Sequence, residues 1–152
     1  MPPVLIDITR LLYRRFTGTL PTGIDRVTVE YVRHYGVRSR AVLSLGPFSA
    51  VLSAADSSVL FATLIDPEAP VTLLAARLIG KAVLWRWLCV NVGDSFLFAT
   101  GHFGLENRRY AWALRRFGAR PIVMVHDLIP ITHPEYCRPR EFVQHSKRVR
   151  CA

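Results

Sequence analysis

Val4-Leu5-Ile6-Asp7-Ile8-Thr9 is the stretch of the sequence that decides the fold class. It is a short apolar run, polar only at Asp7 and at its end. A strand covered on one face alternates between apolar and polar residues, whereas a continuous apolar strand is typical of a parallel sheet covered on both faces. The run therefore predicts a buried strand. Further strands are predicted at Arg40–Leu45, Phe48–Ser53, Ser95–Thr100 and Ile122–Val125.

Predicted helices alternate with these strands. The clearest begins at Gly23, because Thr22 and Asp25 form a capping-box variant, and it ends at Gly36. The alternation of strands and helices predicts an α/β fold with a Rossmann-like parallel sheet and flanking helices, in one domain over residues 1–152. The predicted buried stripe of the Gly23 helix is Ile24, Val27, Tyr31 and Tyr35. The other predicted helices are Ala54–Ile65, Val71–Leu88, Leu105–Phe117 and Arg140–Arg150.

Two segments are predicted to lack regular structure. Arg10–Pro21 contains the loop signals Gly18 and Pro21. Leu128–Pro139 contains three prolines, which disfavour both helix and strand. Both segments follow predicted strands, and the one that begins at Arg10 is a long loop, which is more often functional than a short one.

Composition excludes several classes of protein. The chain has 152 residues, a net charge of +9 and 51% hydrophobic residues, so it has enough apolar surface to fold. Three cysteines are too few for a disulfide-dense secreted scaffold. The first residues show neither the basic start nor the long apolar run of a secretory signal, which predicts a cytoplasmic protein.

The most apolar stretch, Val71–Val92, contains Arg77, Lys81 and Arg86. Each charge in the middle of a membrane span costs about 2.5–3.5 kcal/mol on insertion scales. The stretch therefore predicts a buried or interfacial helix rather than a transmembrane one.

The predicted helix Leu105–Phe117 has a basic face around one tryptophan. Trp112 lies opposite the apolar stripe, and helical spacing places four arginines beside it: Arg108, Arg109, Arg115 and Arg116. This arrangement suits an anionic lipid surface, and also a stacked nucleic acid base. An arginine-covered surface tryptophan, or contact with another domain, explains it equally well. No recognised RNA or DNA module accompanies it, so no nucleic acid partner is expected.

Ligands of parallel α/β sheets bind beyond the carboxyl ends of the strands. Three segments of this chain are predicted to lie there: Arg10–Asp25, which offers Gly18, Gly23 and a helix N-terminus, then Gly101-His102-Phe103-Gly104, and His126-Asp127. Each also has an ordinary explanation, as a capped helix, a turn and a strand end bonded to backbone. His126, Asp127 and His133 resemble a metal-binding pattern, but they follow a strand and are interrupted by prolines, so no metal site is predicted.

The sequence resembles a known family over nearly its whole length. Val123–Tyr136, which contains His126-Asp127-Leu128-Ile129-Pro130, resembles a stretch of bacterial GT-B glycosyltransferases of the "glycosyl transferases group 1" type. Two upstream regions agree in order and spacing. They are Leu5–Arg10 with Thr22–Val27, and Asn91–Gly93 with Gly101–Glu106.

The resemblance implies a retaining enzyme of two Rossmann-like halves that needs no bound metal or other cofactor. The N-terminal half mainly binds the acceptor, a glycan or lipid-linked molecule, and the other half mainly binds the nucleotide-sugar donor. It implies that His126 sits at the cleft floor against the donor sugar with Asp127 beside it. It further implies substrate contacts for Gly23, Asp25, Arg26, His102 and Glu135.

The chain departs from that family in one respect. The donor-binding motif, two glutamates separated by seven residues, does not occur in the 152 residues. The expectation is therefore an incomplete N-terminal half, without a donor-binding domain and inactive alone. A cytoplasmic protein, peripheral on the inner face of the cell membrane, is expected. The alternative is a non-catalytic module that binds a partner domain or an anionic lipid surface.

Overall fold

The stretch that opens the sequence forms the central strand of the sheet. The computed structural model describes residues 4–45, 48–84, 92–101 and 104–152, leaving out the side chains of residues 45, 48, 108 and 109. The central strand β1 (Val4–Asp7) pairs in parallel with its neighbours on both sides. The other strands are β2 (Ser39–Leu45), β3 (Phe48–Val51), β4 (Ser95–Ala99) and β5 (Ala119–Val123).

The strand order is β3-β2-β1-β4-β5, and only the edge strand β3 runs antiparallel, against β2. In chain order, β2 and β3 add to one side of β1, and β4 and β5 then add to its other side. This arrangement confirms the predicted α/β class with a mostly parallel sheet. It also creates a crevice at the carboxyl ends of β1 and β4, which is the topological switch point, where the strand order reverses.

The described chain contains seven helices, and five of them pack against this sheet. Among the predicted helices, Ala54–Ile65 has the bounds of α3, and the predicted starts at Gly23 and near Arg140 are confirmed. The helices are α1 (Thr9–Phe16), α2 (Gly23–Tyr35), α3 (Ala54–Ile65), α4 (Thr72–Leu84), α5 (Arg108–Phe117), α6 (Ile129–Thr132) and α7 (Glu141–Cys151). Single 3-10 turns occupy Gly36–Arg38 and Pro134–Tyr136.

Two hydrophobic clusters cover opposite faces of the sheet. Leu5 and Leu97 pack with Phe117 of α5 in one cluster. Ile6, the next residue along β1, packs in the other with Leu60 of α3. Neighbouring residues of a strand point to opposite faces, so the continuous apolar run supplies both clusters at once.

The prediction of a loop over Arg10–Pro21 was wrong, because α1 occupies most of it. Leu11 and Leu12 are buried with Ile8 in the larger cluster, and this burial stabilises the helix. Gly18, which suggested the loop, lies after the helix in the left-handed conformation. The helix was missed because its stabilisation comes from tertiary packing rather than from a local signal.

The C-terminal part of the sequence is also more regular than predicted. The last strand is Ala119–Val123, not Ile122–Val125, and it contains Pro121. A proline lacks a backbone N–H and is tolerated in an edge strand such as β5. The proline-rich segment after it forms α6 and a 3-10 turn, each with a proline at its first or second position, where no N–H is needed.

The helix α2 buries a different side from the one predicted. Its buried residues are Asp25, Thr28 and Val32. The predicted stripe of Ile24, Val27, Tyr31 and Tyr35 is only half-buried. Tyr31 and Tyr35 pack against Phe98 of β4 with ring centroids 5.2 and 5.4 Å away. The helix is therefore turned to place a carboxylate and a hydroxyl inward.

Helix α4 accounts for most of the apolar stretch at Val71–Leu88, and the last four residues of that prediction lie outside the described residues. Its Lys81 ammonium binds Asp56 of α3 at 2.9 and 3.0 Å. Hydrogen bonding to Lys81 lowers the pKa of Asp56, against a smaller opposing effect of burial. Within the described ranges, none of the helices combines the length and apolar character needed to cross a bilayer.

Candidate functional site

The crevice between β1 and β4 is lined by polar groups from three elements. Asp7 ends β1, and Thr100 and Gly101 follow β4. Helix α2 is joined to this edge by a bond of 2.7 Å between the hydroxyls of Thr28 and Thr100. A Cβ built on Gly101 would lie 3.2 Å from Ile24 Cγ2, so a side chain here would require the Ile24 side chain to move by a few tenths of an ångström.

Asp7 is the polar centre of this edge, although the sequence marked it only as an interruption of an apolar strand. The Thr9 N–H donates to Oδ1 at 2.9 Å, and the Tyr110 hydroxyl of α5 donates to Oδ2 at 2.8 Å. Burial raises the pKa of Asp7, and the hydrogen bonds from Thr9 and Tyr110 offset part of that rise. Burial and the nearby carboxylate also raise the pKa of the Tyr110 phenol.

His126 lies at the same edge of the sheet, attached to the residue that follows β4. Its Nε2 is 2.6 Å from the Thr100 carbonyl oxygen. Since a carbonyl only accepts, Nε2 carries the proton, and Nδ1 of the neutral ring is an acceptor. The ring is half-buried. His126 is three residues beyond the end of β5, not directly at its end as predicted, and the bond to Thr100 is what places it at the crevice.

Asp127 points to solvent and stabilises the backbone that follows His126. Its Oδ1 accepts from the Ile129 N–H at 3.2 Å, at the start of α6. Its own carbonyl oxygen is 3.0 Å from Nε2 of His145, a buried residue of α7. Asp127 and His126 are thus neighbours in sequence with different environments.

Asp25, predicted as a substrate contact, is fully buried. Its carboxylate accepts from the Thr22 N–H at 2.7 Å, which confirms the predicted capping box. It also binds two guanidinium groups, Arg10 Nε at 3.2 Å and Arg14 Nε at 3.0 Å. The carboxylate therefore holds α1 against the start of α2, and it places the exposed Gly23 rather than lining the surface itself.

The remaining predicted site residues are dispersed. Arg26 is exposed on α2. Glu135 is exposed and lies 3.2 Å from His133 Nδ1. His102 lies outside the described residues. In the part of the chain that is described, no three His, Cys, Asp or Glu side chains come together in a group suited to a metal ion.

A wider cleft opens on the α5 side of Asp7, with a volume of about 380 Å³. Hydroxyl-bearing side chains of four elements line it: Thr9, Ser44, Ser49 and Tyr110. The cavity on the other side, lined by Asp7, Thr28 and Thr100 among others, has only about 20 Å³ and fits little more than one water molecule. Sequence reasoning missed the larger cleft because its residues are scattered from position 7 to position 110.

The basic face of α5 is present as predicted where its side chains are described. Trp112 is 56% exposed, and the Arg116 guanidinium carbon lies 5.1 Å from the centre of its ring. Arg115 is exposed beside them, while the side chains of Arg108 and Arg109 lie outside the description. On the opposite face Tyr110, Ala113, Leu114 and Phe117 are buried, which confirms the predicted stripe.

The Asp7→Asn variant is expected to be more stable than the parent near neutral pH. A raised pKa means that the folded chain binds the Asp7 proton more tightly than the unfolded chain does. The stability from this linkage is present below the ordinary pKa of 3.8 and is lost as pH rises through the raised value. Neutral asparagine removes this loss, so its free energy of unfolding is expected to exceed that of the parent by about 0.5–2 kcal/mol, as for other stabilising single substitutions.

Urea unfolding at about pH 7 and about pH 4 measures the effect, and the gain is expected to shrink at the lower pH as Asp7 itself becomes neutral. Asp94→Asn, at an exposed aspartate, is the control and is expected to change stability little. A loss of stability in Asp7→Asn at neutral pH would contradict the prediction.

The geometry shows polar groups converging where the order of a doubly wound sheet reverses. Protein-family models, curated proteins and solved structures were each compared with the chain, and none of the three comparisons found a significant match.

Proposed function

We propose that the chain is the acceptor-side half of a GT-B glycosyltransferase, which transfers a sugar from a nucleotide-sugar donor to a glycan or lipid-linked acceptor. The observation that carries the proposal is the position of His126. The His-Asp-Leu-Ile-Pro stretch resembles the family, and the 2.6 Å bond to the Thr100 carbonyl holds His126 at the reversal point of the sheet. Ligands of such sheets bind at that point.

The neighbouring groups suit the chemistry of sugar transfer. The departing diphosphate needs stabilisation of negative charge, and the N-terminus of the 13-residue helix α2 lies beside Gly101. Gly23 at that terminus is exposed, and the exposed Arg26 follows within the first turn. The sugar needs fixed hydroxyl contacts, and Nδ1 of His126 offers an acceptor.

Transfer in this proposal requires a donor-binding domain in addition to the present residues. The Glu-x7-Glu pattern that the resemblance assigns to donor binding is absent from the 152 residues. We expect the purified chain to transfer no sugar. Sequencing of the gene beyond codon 152, over roughly 200 codons or about one domain, tests the need for a second domain. All reading frames are searched for the Glu-x7-Glu pattern. Transfer by the purified chain alone, with host enzymes excluded, would argue against that need.

When the chain is assayed with a donor-binding domain, His126→Ala is expected to lower kcat by about 100-fold. The reason is that a positioned hydrogen-bonding group at the reacting centre contributes roughly 10²–10⁴-fold. The assay is release of the nucleotide diphosphate from a panel of nucleotide sugars with a glycan acceptor. His34→Ala, at an exposed histidine of α2, is the matched control and is expected to keep the parent rate. Equal rates for both variants would remove His126 from the mechanism.

A second candidate function is binding to an anionic lipid surface or to a partner domain without catalysis. The observation that favours it is the exposed Trp112 with Arg116 over its ring on the outer face of α5. Amphipathic indole rings and arginines are favoured at the level of lipid headgroups. This function is compatible with the first, because lipid-linked acceptors reside at membranes.

The Arg115→Gln/Arg116→Gln variant is expected to bind anionic vesicles about 30-fold more weakly than the parent chain. Each arginine near an anionic surface contributes about 1 kcal/mol, and 1.4 kcal/mol corresponds to a factor of ten. Co-sedimentation with phosphatidylglycerol vesicles measures the affinity. Arg38→Gln/Arg150→Gln removes the same charge from other exposed positions and is the control. Equal weakening by the two variants would show that net charge, not this face, is responsible.

A further inference from the structure

We propose that the cleft of about 380 Å³ beside Asp7 binds a neutral polyhydroxylated ligand, the terminal sugar of the acceptor. The identity of that sugar as an acceptor rests on the proposed function, whereas the site itself rests on the side chains that line the cleft. Ligand pockets of proteins have volumes of about 300–1,000 Å³, so the cleft is large enough for a sugar ring.

The hydroxyl groups of the cleft form a connected surface. The Ser44 N–H donates to Thr9 Oγ1 at 2.7 Å, and the hydroxyls of Ser44 and Ser49 lie 3.0 Å apart. These bonds fix groups from α1, β2 and β3 relative to one another. A hydroxyl can donate one hydrogen bond and accept two, so groups fixed in this way have capacity for the hydroxyls of a sugar.

The charges of the described residues that line the cleft favour a neutral ligand over a phosphate. Its lining contains two carboxylates, Asp7 and Glu106, and no Lys or Arg side chain among the described residues. Glu106 is held by Arg148, whose Nε and Nη2 lie 3.1 and 3.0 Å from its oxygens. The chain has a net charge of +9, yet the described residues of this lining include no cation, and the Arg148 guanidinium beside it is paired with Glu106. A neutral ligand therefore fits better than a nucleotide.

Asp7 is the recognition group of this cleft. Thr9 and Tyr110 hold its two oxygens in place, and a carboxylate accepts about four hydrogen bonds. Hydrogen bonds to a charged acceptor are shorter and stronger than neutral ones. A fixed carboxylate with several hydroxyl groups in the same cleft suits the adjacent hydroxyl groups of a sugar ring.

An NMR titration of the isotope-labelled chain tests the site. The ligands are the methyl glycosides of glucose, galactose, mannose and N-acetylglucosamine. At least one glycoside is expected to shift the amide signals of Thr9, Ser44 and Tyr110, with a Kd of about 1–10 mM. Asp7→Asn is expected to weaken that binding about tenfold or more, because it removes a charged acceptor. Ser49→Ala is expected to weaken binding by a smaller factor. The control is Ser58→Ala, at an exposed serine of α3, which is expected to bind the glycoside with the affinity of the parent.

Three results would overturn the site: no shift with any glycoside at about 100 mM, shifts confined to Gly101 and His126, or stronger shifts with inorganic pyrophosphate than with the glycosides. The outcome is separable from that of the transferase assay. Sugar binding in this cleft without transfer in the two-domain assay would reject the enzyme and retain the site. Transfer with glycoside shifts only at His126 would retain the enzyme and reject the site.

Discussion

Asp25→Ala is expected to lower the free energy of unfolding by about 3–5 kcal/mol, the usual cost of removing one partner from a buried ion pair. Asp25 is 0% exposed and binds the guanidinium groups of Arg10 and Arg14. The substitution leaves both arginines facing a cavity, and it also removes the acceptor of the Thr22 N–H at the start of α2. The loss of that cap alone costs about 1 kcal/mol.

Asp94→Ala is the matched control, because it also removes the aspartate of an aspartate–arginine ion pair. Asp94 and Arg120 lie 2.9 Å apart, but their side chains are 70% and 68% exposed. An exposed pair contributes about 0–1 kcal/mol, so this variant is expected to unfold close to the parent. Urea unfolding of both variants gives the comparison. A similar small loss in both would show that burial of Asp25 adds nothing to the strength of its contacts.

Leu97→Ala is expected to cost about 2–5 kcal/mol. Leu97 lies in β4 beside the central strand and is 0% exposed, in the cluster that contains Leu5 and Phe117. Removal of its side chain loses the transfer free energy of the buried atoms and leaves a cavity between the sheet and α5.

The control for this substitution is Leu73→Ala, at a leucine of α4 that is 86% exposed. A surface change of this kind is expected to alter stability by no more than about 0.5 kcal/mol. Thermal and urea unfolding give both values. A loss below 1 kcal/mol for Leu97→Ala would mean that the face of the sheet under α5 is loosely packed.

Elements with local signals could be predicted from the sequence. Helix α3 is one, because Asp66-Pro67 marks its end. In the structure Ser53 also caps its first turn, accepting from the Asp56 N–H at 3.0 Å, a local signal that was not used to predict it. Helix α2 is another, because Thr22 and Asp25 are three residues apart. Signals of this kind act within one turn of the chain and are visible without knowledge of the rest of the fold.

Features that depend on distant contacts could not be predicted in the same way. Helix α1 is stabilised by the burial of Leu11 and Leu12 against other elements, and its own sequence carries no clear cap. The importance of Asp7 depends on Tyr110, which is 103 positions away and donates to it across the crevice. His126 was found through a resemblance, but its bond to the Thr100 carbonyl follows from the pairing of β4 with β5.

The position of β1 in the middle of the sheet has a consequence for synthesis on the ribosome. Val4 pairs with Ser39 on one side and with Phe96 on the other, and Phe96 is 92 positions further along the chain. At about 5–20 residues per second, the second partner of β1 is made roughly 5–20 s after the first strand. During that interval the N–H and C=O groups on one side of an apolar strand have no partner. The nascent chain then exposes the kind of edge that chaperones shield from aggregation.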